Sequence, residues 1–508
     1  MASSPISDRE DTIERCRAHV LSLLNKQHGG LHKTSYPSAS LNFLGKLNSN
    51  PPSTAAQSRP NHNSPPRTST YSSSKPNSAQ RQIKLDIIIS GAGLGGLSTA
   101  IALRRHGHRV SIYEKAPALN EVGAGIQVPP NSSRLLLKWG VGSYLDGKTA
   151  EPKAIRMRRW KNGDVLSTTT LKGEFREKFG APYFVVHRAG LQGALYECAR
   201  DLGVEVLLGK GVARYEEGGK LVFEDGDVRI ADLVIAADGI HSSARKVVLG
   251  GVDQPPREAG FAAYRAVVDV ELMAGDPEVA WLVDSPGQNL WIGDGRHAMT
   301  YPIASGKSFN MVLSHPSETD PSTWSQDQET IIRDMKEHFE HWDPCLVKVI
   351  NMIRTTLKWP LLTGTPLTKW LSSDKKLLVI GDAAHAMVPY MSEGAAMAVE
   401  DGAALAEILS LIRSPSELQD ALGVYERVRI LRTGQMQEAS LVNGKLWHFA
   451  DGSEQRARDE AMKKAESASG GGNPNQWSDD ETASWAYGYD AESEVKKAWM
   501  LWTSSPKI

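Results

Sequence analysis

Residues 85–114 read LDIIISGAGLGGLSTAIALRRHGHRVSIYE, and their order decides the fold. The apolar run LDIIIS (85–90) is a strand buried on both faces, STAIALRRHG carries apolar residues at helical spacing, and RVSIYE (109–114) is a second strand. Strand, turn, helix and strand within about thirty residues make a βαβ unit, so a parallel sheet is expected. The turn has the pattern GxGxxG. Gly91 permits the tight turn, Gly93 lets the backbone approach a pyrophosphate, and Gly96 lets helix and strand pack closely. The phosphates then meet the positive end of the helix. Alone, GxGxxG is weak; between two strands and at the head of a helix it points to dinucleotide binding. Glu114 ends the second strand, where a carboxylate accepts hydrogen bonds from a ribose hydroxyl.

Upstream of this unit the composition changes. Residues 34–82 form a Pro/Ser/Asn-rich tract that cannot bury enough apolar area to order itself, so 1–82 is expected to be a disordered leader, with the pattern of one short helix at 8–26. The first residues, MASSPISDREDTIERC, lack the basic-then-apolar order of a secretory signal, and no run of about eighteen apolar residues occurs. Residues 17–82 carry Lys and Arg without Asp or Glu, a faint transit-segment character that Asp8, Glu10, Asp11 and Glu14 oppose; the expected location is the cytoplasm.

The whole chain has 508 residues, 40% hydrophobic and 23% charged, enough for two or more packed units around a cofactor. A formal net charge of -1 gives no global attraction to nucleic acid or to an anionic membrane. Cys16, Cys198 and Cys345 lie far apart without CxxC spacing, and the histidines form no HExxH motif, so neither a disulfide scaffold nor a metal site is expected.

Downstream, 204–237 alternates short β runs with Gly218-Gly219 and Asp225-Gly226 turns and ends in the apolar strand DLVIAADG, a hairpin excursion that returns to the main sheet. The segments AAYRAVVDV, VAWLVD, HAMTYPI and FNMVLS between 258 and 315 read as antiparallel strands of a second sheet. KLLVIGDAAHAM (376–387) repeats the apolar strand running into glycine, and a helix is expected from Gly394 to about Ile412. The expected architecture is α/β: a discontinuous cofactor domain (83–257 and 371–430), a substrate-binding β-sheet domain (258–370), and a helical C-terminal region (431–508) with a Ser/Gly/Asn-rich linker near 466–478. The tail carries Trp477, Trp485, Trp499 and Trp502, which implies that it packs on its own chain.

Several motifs in this order resemble the FAD-dependent aromatic-ring monooxygenases, and among them the fungal salicylate-hydroxylase-like enzymes. They are GAGLGG (91–96), VGAGIQVPPNSSRLL from Val122, VHRAGL around Arg188, AADGIHSSAR around Asp238, and GDAAHAMVPYMSEGAAMAVEDGAAL from Gly381; the resemblance runs from about residue 84 to the C-terminus. It implies FAD as resident cofactor on a Rossmann-like domain of the aromatic-hydroxylase type. Asp382 would hold the ribityl and ribose part. The helix starting at Gly394 and Ala395 would point its positive end at the flavin, its small residues letting the ring approach backbone N–H groups. Gly123 and Gly125 would flank the ring, Arg188 would contact the cofactor, and Asp238 would serve FAD and NAD(P)H. Without a second GxGxxG fold, NADPH or NADH is expected only as a transient reductant.

The same resemblance places Arg265 and Tyr301 in the substrate domain as catalytic residues. Arg265 would stabilise a phenolate or dearomatised oxyanion and Tyr301 would hydrogen-bond the ring oxygen. The implied reaction consumes O2 and NAD(P)H and hydroxylates a small phenolic ring, salicylate-like or a polyketide phenol, through a flavin C4a-hydroperoxide. Glu393 departs from the pattern, because many relatives carry Gln there. Two other readings stay open: a flavin epoxidase of secondary metabolism, and a binding protein on the same fold, like the Rab escort and dissociation-inhibitor proteins.

Overall fold

A parallel sheet and a larger mixed sheet share the chain, and their strands interleave along it. The computed structural model describes residues 83–119, 125–284, 287–317, 319–467 and 473–505. The expected leader (1–82), with its helix at 8–26, lies outside the described residues, as do Gly123 and the middle of the linker near 466–478.

The opening motif folds as its pattern demands: β1 (Asp86–Ser90), α1 (Leu94–Arg105), β2 (Arg109–Glu114). Next come β3 (Gly125–Val128) and α2 (Pro130–Lys138), β4 (Ala154–Arg159) and β5 (Val165–Thr170), then β6 (Phe184–His187), α3 (Arg188–Asp201) and β7 (Glu205–Leu208). The hairpin excursion at 212–230 is a small antiparallel sheet, and β8 (Leu233–Ala236) returns to the parallel one. The second half supplies β9 (Arg257–Asp269), β10 (Gln288–Gly293), β11 (Arg296–Ile303), β12 (Ser308–Pro316), β13 (Thr356–Thr363) and β14 (Leu377–Val379). Helices α4 (Gly394–Leu411), α5 (Leu418–Trp447), α6 (Ser453–Ser467), α7 (Asp480–Tyr487) and α8 (Ala491–Ser504) close the chain.

The parallel sheet has the order β14-β8-β1-β2-β7, with Ile89 paired to Ile235 on one side and Ile112 on the other. The larger sheet has the order β13-β9-β12-β11-β10-β4-β5. Its strands are antiparallel except for β10 and β4, which run parallel. Strands β4 and β5 lie inside the stretch assigned from sequence to the cofactor domain, yet they extend the other sheet. The alternation of β4 marks a strand but carries no record of which sheet edge it meets. The boundary expected at 430/431 falls inside α5, which runs through it unbroken.

Successive side chains of a strand point to opposite faces, so the larger sheet serves two cores. On one face Tyr264, Ala266, Trp291, Met311 and Leu313 pack with Met335 and Phe339. On the other, Ala263, Leu290, Met299 and Tyr301 meet Tyr390, Met397, Met436, Trp447, Trp477 and Tyr487. The tail therefore packs on its own chain as its tryptophans imply: the Trp477 and Trp447 rings lie 5.3 Å apart, and Trp477 and Trp499 are buried. No helix among the described residues is long and apolar enough to cross a membrane.

Candidate active site

The parallel sheet brings four of the expected site segments to one edge. Glu114 ends β2, Gly91 follows β1, Asp238 follows β8, and Asp382 follows β14, and these strands are neighbours in the order β14-β8-β1-β2. Ligands of open α/β sheets bind at this carboxyl edge.

The three glycines of the turn differ in what the surrounding chain demands of them. Gly91 has φ +104°, its N–H donates to Tyr113 O at 2.8 Å, and a Cβ there would lie 2.4 Å from Ala237 O. At Gly96 a Cβ would lie 2.0 Å from Gly91 O. At Gly93 a Cβ would meet no atom within 4 Å, so the protein itself does not demand glycine there. Gly93 caps α1 without a side-chain hydrogen bond, and the first turn holds no acidic residue. The N–H groups of that turn are thus left for an anion.

Glu114 ties the turn to the sheet, accepting from Ala92 N at 2.7 Å and from Ala116 N at 2.8 Å. A carboxylate has about four lone-pair sites, so capacity for a ribose hydroxyl remains. From the other side Gln192 Nε2 donates to Ala92 O at 3.0 Å. Gln192 went unnoticed in the sequence, where only its spacing of four from Arg188 on one helix hints at a shared face.

Asp238 Oδ2 accepts from Tyr215 Oη at 3.1 Å and from Ser243 N at 3.2 Å, while its buried Oδ1 has no partner among the described residues. Burial pushes its carboxyl upward, and hydrogen bonds from Ser242 and Tyr215 pull the other way. Ile380 N donates to Ala236 O at 3.0 Å, which sets Gly381-Asp382 beside that loop. Asp382 is exposed and makes no hydrogen bond or ion pair among the described residues.

Helix α4 reaches this edge through a close crossing with α1. A Cβ on Gly95 would lie 3.2 Å from Ala398 Cβ, and one on Gly402 would lie 2.8 Å from Thr99 Cα. Gly394 and Ala395 at the start of α4 are half-buried, and Ala395 lines a small cavity with Leu94, Gln127, Leu136, Leu195 and Val399.

The larger sheet meets a separate three-stranded sheet, the one that contains β3 and β6, at Gly125. A Cβ on Gly125 would lie 2.4 Å from Tyr301 Cε2, and its N–H donates to Asn310 Oδ1 at 2.8 Å. Gly125 pairs with His187, so Arg188 stands at the next residue along, at the head of α3. Arg265 pairs with Val312, which pairs with Met299; Tyr301, two residues on, shares that face. Burial lowers the Arg265 guanidinium from its ordinary value, Tyr301 opposing and the charge of Arg188 reinforcing the shift. The Tyr301 hydroxyl is pushed up by burial, with Arg265 pulling it down. Arg265, Tyr301, Arg188 and Gly125 therefore form one neighbourhood. Arg265 Nε is buried with no partner among the described residues.

Behind α4 lies a buried ionic cluster. Asn131 Nδ2 donates to Glu393 Oε2 at 2.9 Å and to Glu400 Oε1 at 2.8 Å. Arg429 holds Glu400 Oε2 and Asp401 Oδ1, both at 2.8 Å, and Arg432 Nη2 holds Glu400 Oε1 at 3.1 Å. His385 Nε2 meets Asp401 Oδ2 at 2.7 Å, and the same oxygen accepts from Gly381 N at 3.0 Å. Of these residues only Glu393 stood out in the sequence, because partners on three elements are invisible to spacing.

The family described as FAD binding domain matches residues 84–440. The chain is 37% identical to the FAD-dependent monooxygenase OpS4 of Beauveria bassiana over 80% of this chain and 95% of that one. It is 33% identical to 3-hydroxybenzoate 6-hydroxylase 1 of Aquipseudomonas alcaligenes over 81% and 99%. A solved structure of CtdE in complex with FAD and a substrate is similar with a TM-score of 0.67 and 25% identity, covering 82% of this chain and 98% of that one. The open face of Gly93, the uncapped head of α1 and the partnerless Asp382 carboxylate suit a dinucleotide such as FAD. By sequence and by the cradle its residues build, the chain belongs to the FAD binding domain family and, within it, to the FAD-dependent aromatic-ring monooxygenases.

Proposed function

We propose that this protein hydroxylates a phenolic ring, salicylate-like or a polyketide phenol, at the expense of NAD(P)H and O2. The observation that carries the reading is the meeting of Arg265, Tyr301 and Arg188 at Gly125, where β3 packs on the larger sheet. Bound FAD supplies the redox chemistry, activating O2 and delivering one oxygen atom to the ring. The remaining work belongs to the chain.

In this reading Gly91, Gly93 and Gly96 with the head of α1 hold the pyrophosphate, Glu114 a ribose, Asp382 the ribityl chain, and Gly394-Ala395 with Gly125 the ring system. Asp238 and Arg188 complete the cofactor contacts. Arg265, a half-buried cation with a buried and unpartnered Nε, binds the phenolate oxygen. A Tyr301 hydroxyl kept neutral by burial donates a hydrogen bond to the same oxygen. Ionising the phenol raises electron density at the carbons beside it, where the oxygen is transferred. The apolar face of Ala263, Leu290 and Met299 excludes water. The substrate sheet comprises the strands from 258 to 363 together with β4 and β5, and the cofactor part the parallel sheet with α1, α3 and α4. The reaction is assigned to the cytoplasm, one of the compartments that supply NAD(P)H.

The test is the visible spectrum of the purified protein, followed by NADH and NADPH oxidation with and without salicylate and a panel of alkylated resorcinols. Ring-stimulated oxidation with one oxygen atom incorporated into the product supports the proposal. Flavin-bound protein that oxidises NAD(P)H equally with and without every phenol, yet converts an alkene, assigns the epoxidase reading instead.

A further inference from the structure

The cluster behind α4 sets three acids against two arginines and a histidine, and the three acids are not held alike. Glu393, Glu400 and Asp401 face two guanidiniums, Arg429 and Arg432, among the described residues. All five side chains are at most 2% exposed, and an uncompensated charge there is strongly disfavoured. His385 lies against Asp401, its Nε2 2.7 Å from Asp401 Oδ2, and not against Glu393. The hydrogen bonds identify the acid with the least compensation. Glu400 and Asp401 each accept from an arginine, whereas Glu393 accepts only from the neutral Asn131 amide, and its Oε1 has no partner among the described residues.

We infer that Glu393 is the proton-bearing member of this cluster, and that its neutral form keeps a negative charge away from the start of the Gly394–Leu411 helix, where the cofactor is bound. Glu393 acts as a positioning residue for charge and takes no part in contacts with substrate. This inference rests on the cofactor placement given under Proposed function. The groups facing Glu393 are Tyr183 from the segment before β6, Tyr487 from α7, Arg432 from α5 and Glu400 from its own helix. Of the charged groups among them Arg432 favours ionisation, as does the hydrogen bond from Asn131, and Arg432 is already engaged by Glu400. In agreement, burial raises the Glu393 carboxyl to about 8, with Arg432 and Asn131 opposing and Glu400 adding to the rise.

The consequence is a linkage between proton and electron. A deprotonated Glu393 would oppose any negative charge gained in the site on reduction, so reduction raises its proton affinity, and above about pH 8, where Glu393 is ionised, it draws a proton from solvent. The experiment is a redox titration of the FAD-loaded protein on both sides of pH 8, for wild type, Glu393→Gln and Glu400→Gln. Wild type and Glu393→Gln should coincide at low pH, and the wild-type midpoint potential should fall below that of Glu393→Gln as pH passes 8. Glu400→Gln removes one carboxylate and should move the divergence to lower pH.

A redox-difference infrared spectrum adds a direct reading. The wild type should show a protonated-carboxyl band that Glu393→Gln lacks, a measurement that survives even if Glu400→Gln fails to fold. Identical pH profiles for wild type and Glu393→Gln, or no protonated-carboxyl band below pH 8, would overturn the inference. If no phenol is hydroxylated but the two profiles still diverge, the functional proposal fails and this one stands.

Discussion

Replacing Gly125 by Ala tests whether the two halves of the site meet as described. The new Cβ would lie 2.4 Å from Tyr301 Cε2, 3.0 Å from Tyr301 Cζ and 2.8 Å from Ile303 Cγ2. Carbon atoms in contact prefer separations of about 3.5–4.0 Å, so β3 and the tyrosine ring must part by roughly 1 Å. Overpacking of this kind costs about 1–3 kcal/mol in stability. A displacement of about 1 Å at a reacting centre lowers the rate by about 100-fold.

The assay is a double-mutant cycle with Tyr301→Ala, read by chemical denaturation and by kcat/KM. Removing the ring leaves only the flexible Ile303 methyl in the way, so Gly125→Ala should cost at least about 1 kcal/mol less in the Tyr301→Ala background than in wild type. If the two costs add to within about 0.5 kcal/mol, Gly125 does not rest on Tyr301 and the packing of β3 on the larger sheet at this point is wrong.

Gly93→Ala should leave the stability of the FAD-free protein within about 0.5 kcal/mol of wild type, since its Cβ meets nothing, yet weaken FAD binding at least about tenfold by calorimetry. Gly96→Ala, whose Cβ falls 2.0 Å from a backbone oxygen, should instead lose stability with or without FAD, and equal behaviour of the two variants would refute the distinction. Arg265→Gln should lower turnover by about 100- to 1,000-fold with FAD affinity unchanged, measured by stopped-flow and fluorescence quenching. The Glu393 carboxyl is raised to about 8 in the folded chain, so the folded state binds the extra proton between the ordinary carboxylate range and 8 and loses stability as pH rises through that window. Relative to wild type, FAD-free Glu393→Gln should thus gain on the order of 1 kcal/mol per pH unit across it; a difference that is flat with pH removes the buried acid from the explanation.

The local segments were legible because their signals are local. The run 85–114 contains its own strand pattern, turn glycines and helix, and the structure reproduces them as β1, α1 and β2. The return of the chain at KLLVIGDAAHAM was equally readable, because a fully apolar strand ending in glycine has few alternatives. The reach of β4 and β5 into the larger sheet was not, since pairing of residues 154–159 with 288–293 depends on a partner more than a hundred residues away.

What the sequence alone determined is the backbone chemistry: which glycines must turn, which helix heads lie open to an anion, and which motifs follow one another. Only the tertiary structure decided what stands behind them. It set Gly125 against Tyr301, tied Ala92 between Glu114 and Gln192, and gathered Asn131, Glu393, Glu400, Arg429 and Arg432 into one buried cluster. The physical reason is that charge balance and close packing are properties of a volume. A strand or turn is specified by neighbours in sequence, whereas whether a carboxyl keeps its proton depends on every group that shares its desolvated space.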